Sequence, residues 1–162
     1  MKYNPLLDTD SYKMSHWLQF PPNTTNMFYY LESRGGRYGQ TIFFGLQYIL
    51  KEYLDITITE EMVLEAEAFA KAHGEPFNKD GWMYIVNKHK GRLPVRIRAV
   101  KEGTLVPVSN VLMTVESTDP ECFWLPSYIE TVLMRVWYPI TVATQSWHIK
   151  QIIKGYLEKT QK

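Results

Sequence analysis

Asp8 and Asp10 stand two residues apart in the run Leu6-Leu7-Asp8-Thr9-Asp10-Ser11-Tyr12-Lys13. Carboxylates at that spacing can bind a divalent cation or do acid–base work; the reading the residues favour is one helix cap beside one solvated acid. Tyr12 falls where a first helical turn would present its ring, either to stack on a flat ligand or to pack. Lys13 reads as a solvated cation. Further on, Phe28-Tyr29-Tyr30-Leu31-Glu32-Ser33-Arg34 alternates as a strand and puts Glu32 and Arg34 on one face at its end. Arg34 can pair with Glu32, which is worth little if exposed, or offer its planar fork to a phosphate. The phosphate reading is the less favoured of the two, and the adjacent flexible loop Gly35-Gly36-Arg37-Tyr38-Gly39-Gln40 has neither Walker nor dinucleotide spacing.

The other reactive residue types point away from chemistry. His16, His73, His89 and His148 are scattered without metal-ligand spacing and read as structural or solvent-facing. Cys122 opens an apolar stretch and reads as an inert core thiol; being alone, it supports no disulfide or multi-cysteine metal site within the chain. Ser127 and Ser146 lack a nucleophile-elbow context. No triad, zinc cluster or carboxylate dyad stands on these residues, so none is assigned as catalytic.

The elements that must position the candidates follow from periodicity. Thr9 or Asp10 can cap a helix from Ser11 that carries Met14, Trp17 and Leu18 and ends at Pro21-Pro22. In the strand, Met27, Tyr29, Leu31 and Ser33 share one face and Phe28, Tyr30, Glu32 and Arg34 the other. Leu46, Ile49, Leu50, Tyr53 and Leu54 fit a helix face. Thr59 caps a second helix that buries Met62, Ala66, Phe69 and Ala70 and stops at Gly74. A third, from about Lys79, aligns Trp82, Ile85 and Val86, with Gly91 just past its end. Strands are expected at Val95–Ala99, Thr104–Val108 and Val111–Glu116. Phe123 to Trp137 reads as a deeply buried helix broken at Tyr138-Pro139, and Ile140 to about Lys159 as a last long helix bearing Trp147, Ile152, Ile153 and Tyr156. The expected class is α+β, a mostly antiparallel sheet packed with several helices.

The totals bound the function. A chain of 162 residues with formal charge +1 suits one domain and argues against a dedicated nucleic-acid binder. Eleven Tyr, seven Phe and five Trp exceed what a core of this size needs and suggest a buried interface or stacking site. No leader-like apolar segment or membrane-length run is present, so the cytoplasm is the default expectation. An RNA-binding domain using the tyrosine-rich strand as a stacking platform remains an alternative that the charge disfavours.

At larger scale the motifs resemble the nicotinamide phosphoribosyltransferase family. The resemblance rests on Leu6 to Lys13, Gln19-Phe20-Pro21-Pro22-Asn23-Thr24 and Phe44-Gly45-Leu46-Gln47-Tyr48-Ile49-Leu50. It continues through Phe77-Asn78, Gly81-Trp82, Leu93-Pro94, Asn110-Val111-Leu112, Thr118 to Cys122 and Trp137 to Thr144. It implies residues 1–162 as a single N-terminal domain of a type II phosphoribosyltransferase, with the catalytic α/β barrel absent. The implied reaction joins nicotinamide to phosphoribosyl pyrophosphate, giving nicotinamide mononucleotide and pyrophosphate. Asp10 and Tyr12 match family positions that approach the nicotinamide ring from a second subunit, Tyr12 by stacking, and Arg34 matches an arginine near the phosphates. The resemblance further implies a homodimer, a C-terminal barrel portion as partner, and Mg²⁺ and ATP for the full-length enzyme. The family's catalytic histidine lies beyond this chain, which is therefore expected to be inactive alone and to bind neither cofactor. The family's loop after the Arg34 position is often longer than here. The competing readings are a nicotinate phosphoribosyltransferase fragment and a stand-alone dimerising or partner-binding domain. At least one helix is expected to expose an apolar stripe.

Overall fold

Val95–Ala99 alternates apolar and polar side chains, as a strand with one wet face requires, and it pairs antiparallel with the more apolar Val111–Ser117. In the computed structural model, which describes residues 3–161, they are strands β3 and β5. Strand β1, Phe28–Glu32, adds to the other edge of β5, giving a three-stranded antiparallel sheet in the order β1-β5-β3. Tyr29 and Leu31 pack against the core while Phe28 and Tyr30 face solvent, as the alternation requires. A register shift between Leu31 and Glu32 ends the strand there. Arg34 thus lies beyond the strand and exposed, and among the described residues it forms no ion pair with Glu32.

A second antiparallel pair joins β2, Gln40–Ile42, to β4, Leu105–Pro107. β2 occupies the end of the stretch expected to be loop, since Gln40 pairs with Pro107. The α+β class and the antiparallel sheet therefore stand, in two pieces.

Helix α1, Leu46–Ile49, continues into a wider turn over Leu50–Leu54 that closes with Asp55 N–H on the Leu50 carbonyl at 2.7 Å. Helix α2, Glu60–His73, has the expected cap, with Thr59 accepting from Met62 N–H, and the expected stop at Gly74 in a left-handed conformation. It buries Met62, Val63, Ala66 and Ala70, but not Phe69, which is 52% exposed and stacks on His73 one turn later. Helix α3, Lys79–Lys88, buries Trp82 and Ile85. Trp82, Trp124 and Tyr128 meet edge to face, with ring centroids 5.0 to 5.9 Å apart, at the centre of the core.

Helices α4, Leu125–Met134, and α5, Trp137–Thr160, meet at a break over Arg135 and Val136, three residues earlier than the expected break at Tyr138-Pro139. A proline ring obstructs the carbonyl four residues back, here that of Arg135, and is tolerated within a first helical turn. Pro139 therefore sits just inside α5 instead of ending a helix. Gly45, at φ +97°, abuts the Pro139 ring so closely that a Cβ would collide with it. Ile42 N–H and the Thr41 hydroxyl both reach the buried Thr144 hydroxyl, at 2.9 and 2.8 Å, tying β2 to α5. Beyond that tie, Val142, Ile149, Ile152, Ile153 and Tyr156 share one exposed face of α5, the stripe expected of at least one helix.

Candidate functional site

Asp8, Asp10 and Tyr12 are positioned by α4. The N-terminal segment runs antiparallel to that helix, and polar residues one turn apart along α4 and at its C-terminal end, namely Ser127, Thr131 and Arg135, each hold one of its side chains. Arg135 grips Asp8 with both guanidinium arms, one at 2.8 Å; Tyr3 donates its hydroxyl to the same carboxylate at 2.6 Å. Burial and the Asp8 carboxylate raise the Tyr3 hydroxyl's pKa, while the hydrogen bonds to Asp8 raise that of Arg135. Thr131 donates to the Asp10 carboxylate at 2.7 Å, and its oxygen accepts the Asp10 backbone N–H at 3.2 Å. Ser127 meets the His16 ring at 3.0 Å.

These contacts replace the expected helix caps. Thr9 donates its hydroxyl to the Tyr128 carbonyl at 2.7 Å, and Asp10 precedes the turn Ser11–Met14 without capping it. Because α4 draws both side chains sideways, Ser11–Met14 and His16–Leu18 form two short 3-10 turns instead of one α-helix.

Lys13 corrects the expectation of a solvated cation. It is 4% exposed and lies 2.9 Å from Glu130 and 3.5 Å from Asp10. Tyr12 is 57% exposed, and its hydroxyl reaches the Asp10 carboxylate at 3.4 Å. The hydrogen bond from Thr131, helped by Lys13, holds the Asp10 carboxyl below the usual carboxylate range despite some desolvation. The site therefore presents an ionised acceptor beside an open aromatic face. Such a pair suits a flat ring carrying an N–H donor.

Asp10 and Tyr12 are brought together; Arg34 is joined to neither by a hydrogen bond among the described residues. The glycine loop after Arg34 borders a cavity of about 350 Å³ against the start of α5, lined by Arg37, Tyr38, Gln40, Thr141 and Gln145 among others. Tyr38 stacks on His148 at 3.8 Å, fixing the loop to α5. The other histidines are equally engaged. His73 contacts Ser11 at 2.6 Å, and His89 contacts Asp119 at 2.7 Å. Cys122 is fully buried, and desolvation pushes its thiol up to about 12, consistent with an inert core residue.

Thr131, Glu130 and Arg135 escaped sequence reasoning. The signal for Thr131 and Arg135 was the i, i+4, i+8 polar series they form with Ser127 along a largely apolar stretch; Glu130, beside Thr131, had no such signal. Among the described residues no group of three or more His, Cys, Asp or Glu side chains could hold a metal, and no helix is long and apolar enough to cross a membrane.

Residues 4–97 match the family model described as the N-terminal domain of nicotinamide phosphoribosyltransferase. The chain is 60% identical over 157 residues to a protein named nicotinamide phosphoribosyltransferase from Xanthomonas campestris pv. campestris, covering 97% of this chain and 34% of that one. A second relative of that name, from Acinetobacter baylyi, is 31% identical over 98% of this chain and 35% of its own length. The chain thus spans about a third of the length of these curated relatives. In fold it resembles the crystal structure of human nicotinic acid phosphoribosyltransferase, with a TM-score of 0.61 at 21% identity over 85% of this chain and 27% of that one. With the family model matching more than half of its residues, the chain belongs to the nicotinamide phosphoribosyltransferase N-terminal domain family.

Proposed function

We propose that residues 1–162 act as the single substrate-lining N-terminal domain of an enzyme that transfers phosphoribosyl from phosphoribosyl pyrophosphate to nicotinamide. The products are nicotinamide mononucleotide and pyrophosphate. The observation that carries this reading is the pairing of an ionised Asp10 with the exposed Tyr12 ring on one braced turn. In this reading Tyr12 covers one face of nicotinamide and Asp10 accepts an N–H of its carboxamide. Nicotinate carries a carboxylate at that position, which an ionised Asp10 would repel; nicotinamide is therefore favoured over nicotinate. Arg34, exposed beside the glycine loop, offers its fork to the phosphates of the other substrate, where negative charge grows as pyrophosphate leaves.

The site is completed by other polypeptide: a second copy of the protein, in a homodimer, and a C-terminal barrel portion. The apolar face of α5 from Val142 to Tyr156 supports a packing partner of this kind. Mg²⁺ and ATP belong to the full-length enzyme in this reading. The described residues do not fit a metal, since Asp8 is taken up by Arg135 and Tyr3, and Asp10 by Thr131 and Lys13. The near-neutral charge supports small-molecule substrates, not nucleic acid, and the enzyme is taken to act in the cytoplasm.

The test is a product assay for nicotinamide mononucleotide with nicotinamide, phosphoribosyl pyrophosphate, Mg²⁺ and ATP. The chain is assayed alone and with the C-terminal portion of a relative supplied in trans. Product only in the mixture, weakened by Tyr12→Ala, is expected. Product from the chain alone would overturn the proposed division of labour; silence in both, with both parts folded, would favour a stand-alone interaction domain.

A further inference from the structure

Among the described residues, every protein group that reaches the Asp10 carboxylate arrives at the same oxygen. Thr131 Oγ1 donates to Oδ2 at 2.7 Å, the Tyr12 hydroxyl reaches Oδ2 at 3.4 Å, and Lys13 Nζ lies 3.5 Å from Oδ2. Oδ1 has no hydrogen-bond or ion-pair partner among the described residues, and the Asp10 side chain is 43% exposed. The Thr131 oxygen also accepts the Asp10 backbone N–H at 3.2 Å, which holds the hydroxyl beside the carboxylate and leaves its hydrogen to donate there. Lys13 is buried, so its ammonium cannot swing into solvent, and Glu130 holds it from the other side at 2.9 Å. Asp10, Lys13 and Glu130 together carry one net negative charge.

We propose that Thr131 and Lys13 are positioning residues: they clamp Asp10 Oδ2 so that Oδ1 alone faces the ligand as an acceptor beside the Tyr12 ring. The inference rests on the reading that Asp10 and Tyr12 line the ring site, and it adds how that site distinguishes substituents. A ring substituent with an N–H donor meets a fixed acceptor; an anionic substituent meets a surplus negative charge. Without the clamp the carboxylate would rotate about its last bond, and each binding event would have to freeze it. Lys13 is oriented by Glu130 and contributes through Asp10, not by contact with the ligand.

The experiment uses this chain joined to the C-terminal two thirds of its 60% identical relative, with nicotinamide as the varied substrate. Thr131→Val is expected to raise KM for nicotinamide about tenfold, the equivalent of one weakened charge-assisted hydrogen bond, with kcat changed by less than about twofold. Thr131→Ser, which keeps the hydroxyl, restores KM. Should Thr131→Val fail to fold, Thr131→Ala removes the same donor without adding bulk and is expected to give the same rise. In parallel, carbon-detected NMR titration of Asp10 in the 162-residue chain should show its carboxyl midpoint moving up towards the ordinary 3.8 when the Thr131 hydroxyl is lost. If Asp10→Ala raises KM while the Thr131 variants keep the wild-type value, the clamp is overturned and the site reading survives. If Asp10→Ala leaves KM unchanged, the site reading fails and this inference with it. A lower melting temperature with unchanged KM assigns Thr131 a purely structural role and also overturns the proposal.

Discussion

The Arg135 guanidinium lies along the Asp8 carboxylate with both arms engaged, so the first residue of the α4–α5 break is tied to the first acid of the candidate site. Asp8 is mostly buried and Arg135 about half so, which places the pair between the surface and interior cases. Arg135→Leu is expected to cost about 1–2 kcal/mol, since it strands a desolvated carboxylate and removes the cation over the Tyr53 ring. Urea unfolding of the single variants and of Arg135→Leu with Asp8→Leu checks this. The double variant should lose less than the sum.

Asp119 gives a pH dependence with a definite sign. It accepts from Glu121 N–H at 2.9 Å, from His89 at 2.7 Å and from the Tyr84 hydroxyl at 3.1 Å. The Glu121 backbone bond is the main cause that lowers its pKa below 3.8, with His89 and Tyr84 assisting against desolvation. A carboxyl whose folded pKa is depressed stabilises the fold above its unfolded value and ceases to do so as pH falls through the folded value. Asp119→Asn, which keeps the cap geometry but loses the charge, is therefore expected to cost about 1 kcal/mol at pH 7. The difference from wild type should shrink as pH falls through the folded value, which lies below 3.8, in thermal unfolding across pH.

Gly45 tests the junction of α1 with α5. Its positive φ and its approach to Pro139 leave no room for a methyl group. Gly45→Ala is expected to destabilise by roughly 2–4 kcal/mol, combining left-handed strain with overpacking. Gly103, also at positive φ but with nothing near its Cβ, serves as the control. Gly103→Ala bears only the strain, so its chemical denaturation midpoint should fall less.

The open face of α5 should behave as an adhesive surface. Ile152→Lys with Ile153→Lys is expected to reduce dye binding and self-association while leaving the melting temperature within about 2 °C, because both side chains are more than half exposed. The same pair should abolish complementation by a C-terminal portion if that portion packs there. Analytical ultracentrifugation and the product assay read the two effects.

Much of this was legible from local rules. Thr59 and Gly74 bracket α2 because cap chemistry is local, and Val95–Ala99 alternates because one face is wet. The misreadings arose where a distant partner outweighed the local preference. Thr9 and Asp10 carry cap-forming side chains, yet Tyr128 and Thr131 claim them across more than a hundred residues. Lys13 looked solvated because nothing nearby in sequence announces that Glu130 will come to meet it. β2 is only three residues long, too short for a period to show before it finds β4. Phe69 keeps helical spacing with the buried Met62 and Ala66, but its side chain turns to His73 instead of the core. The candidate site was half readable: Asp10 and Tyr12 stood out by type, whereas the residues that brace them are recognisable only once α4 is known to lie alongside.

The three holds that α4 exerts on the N-terminal segment share one screw. Ser127, Thr131 and Arg135 line up because each step of four residues only slightly overshoots a full turn. Inserting or deleting one residue between Ser127 and Thr131 would swing Thr131 and Arg135 about 100° away from Asp10 and Asp8 while leaving His16 attached. A point substitution removes one rung; a change of length shears the ladder. The segment bearing Asp10 and Tyr12 should therefore tolerate exchanges of side chain in α4 one at a time, and tolerate no frame slip within it at all.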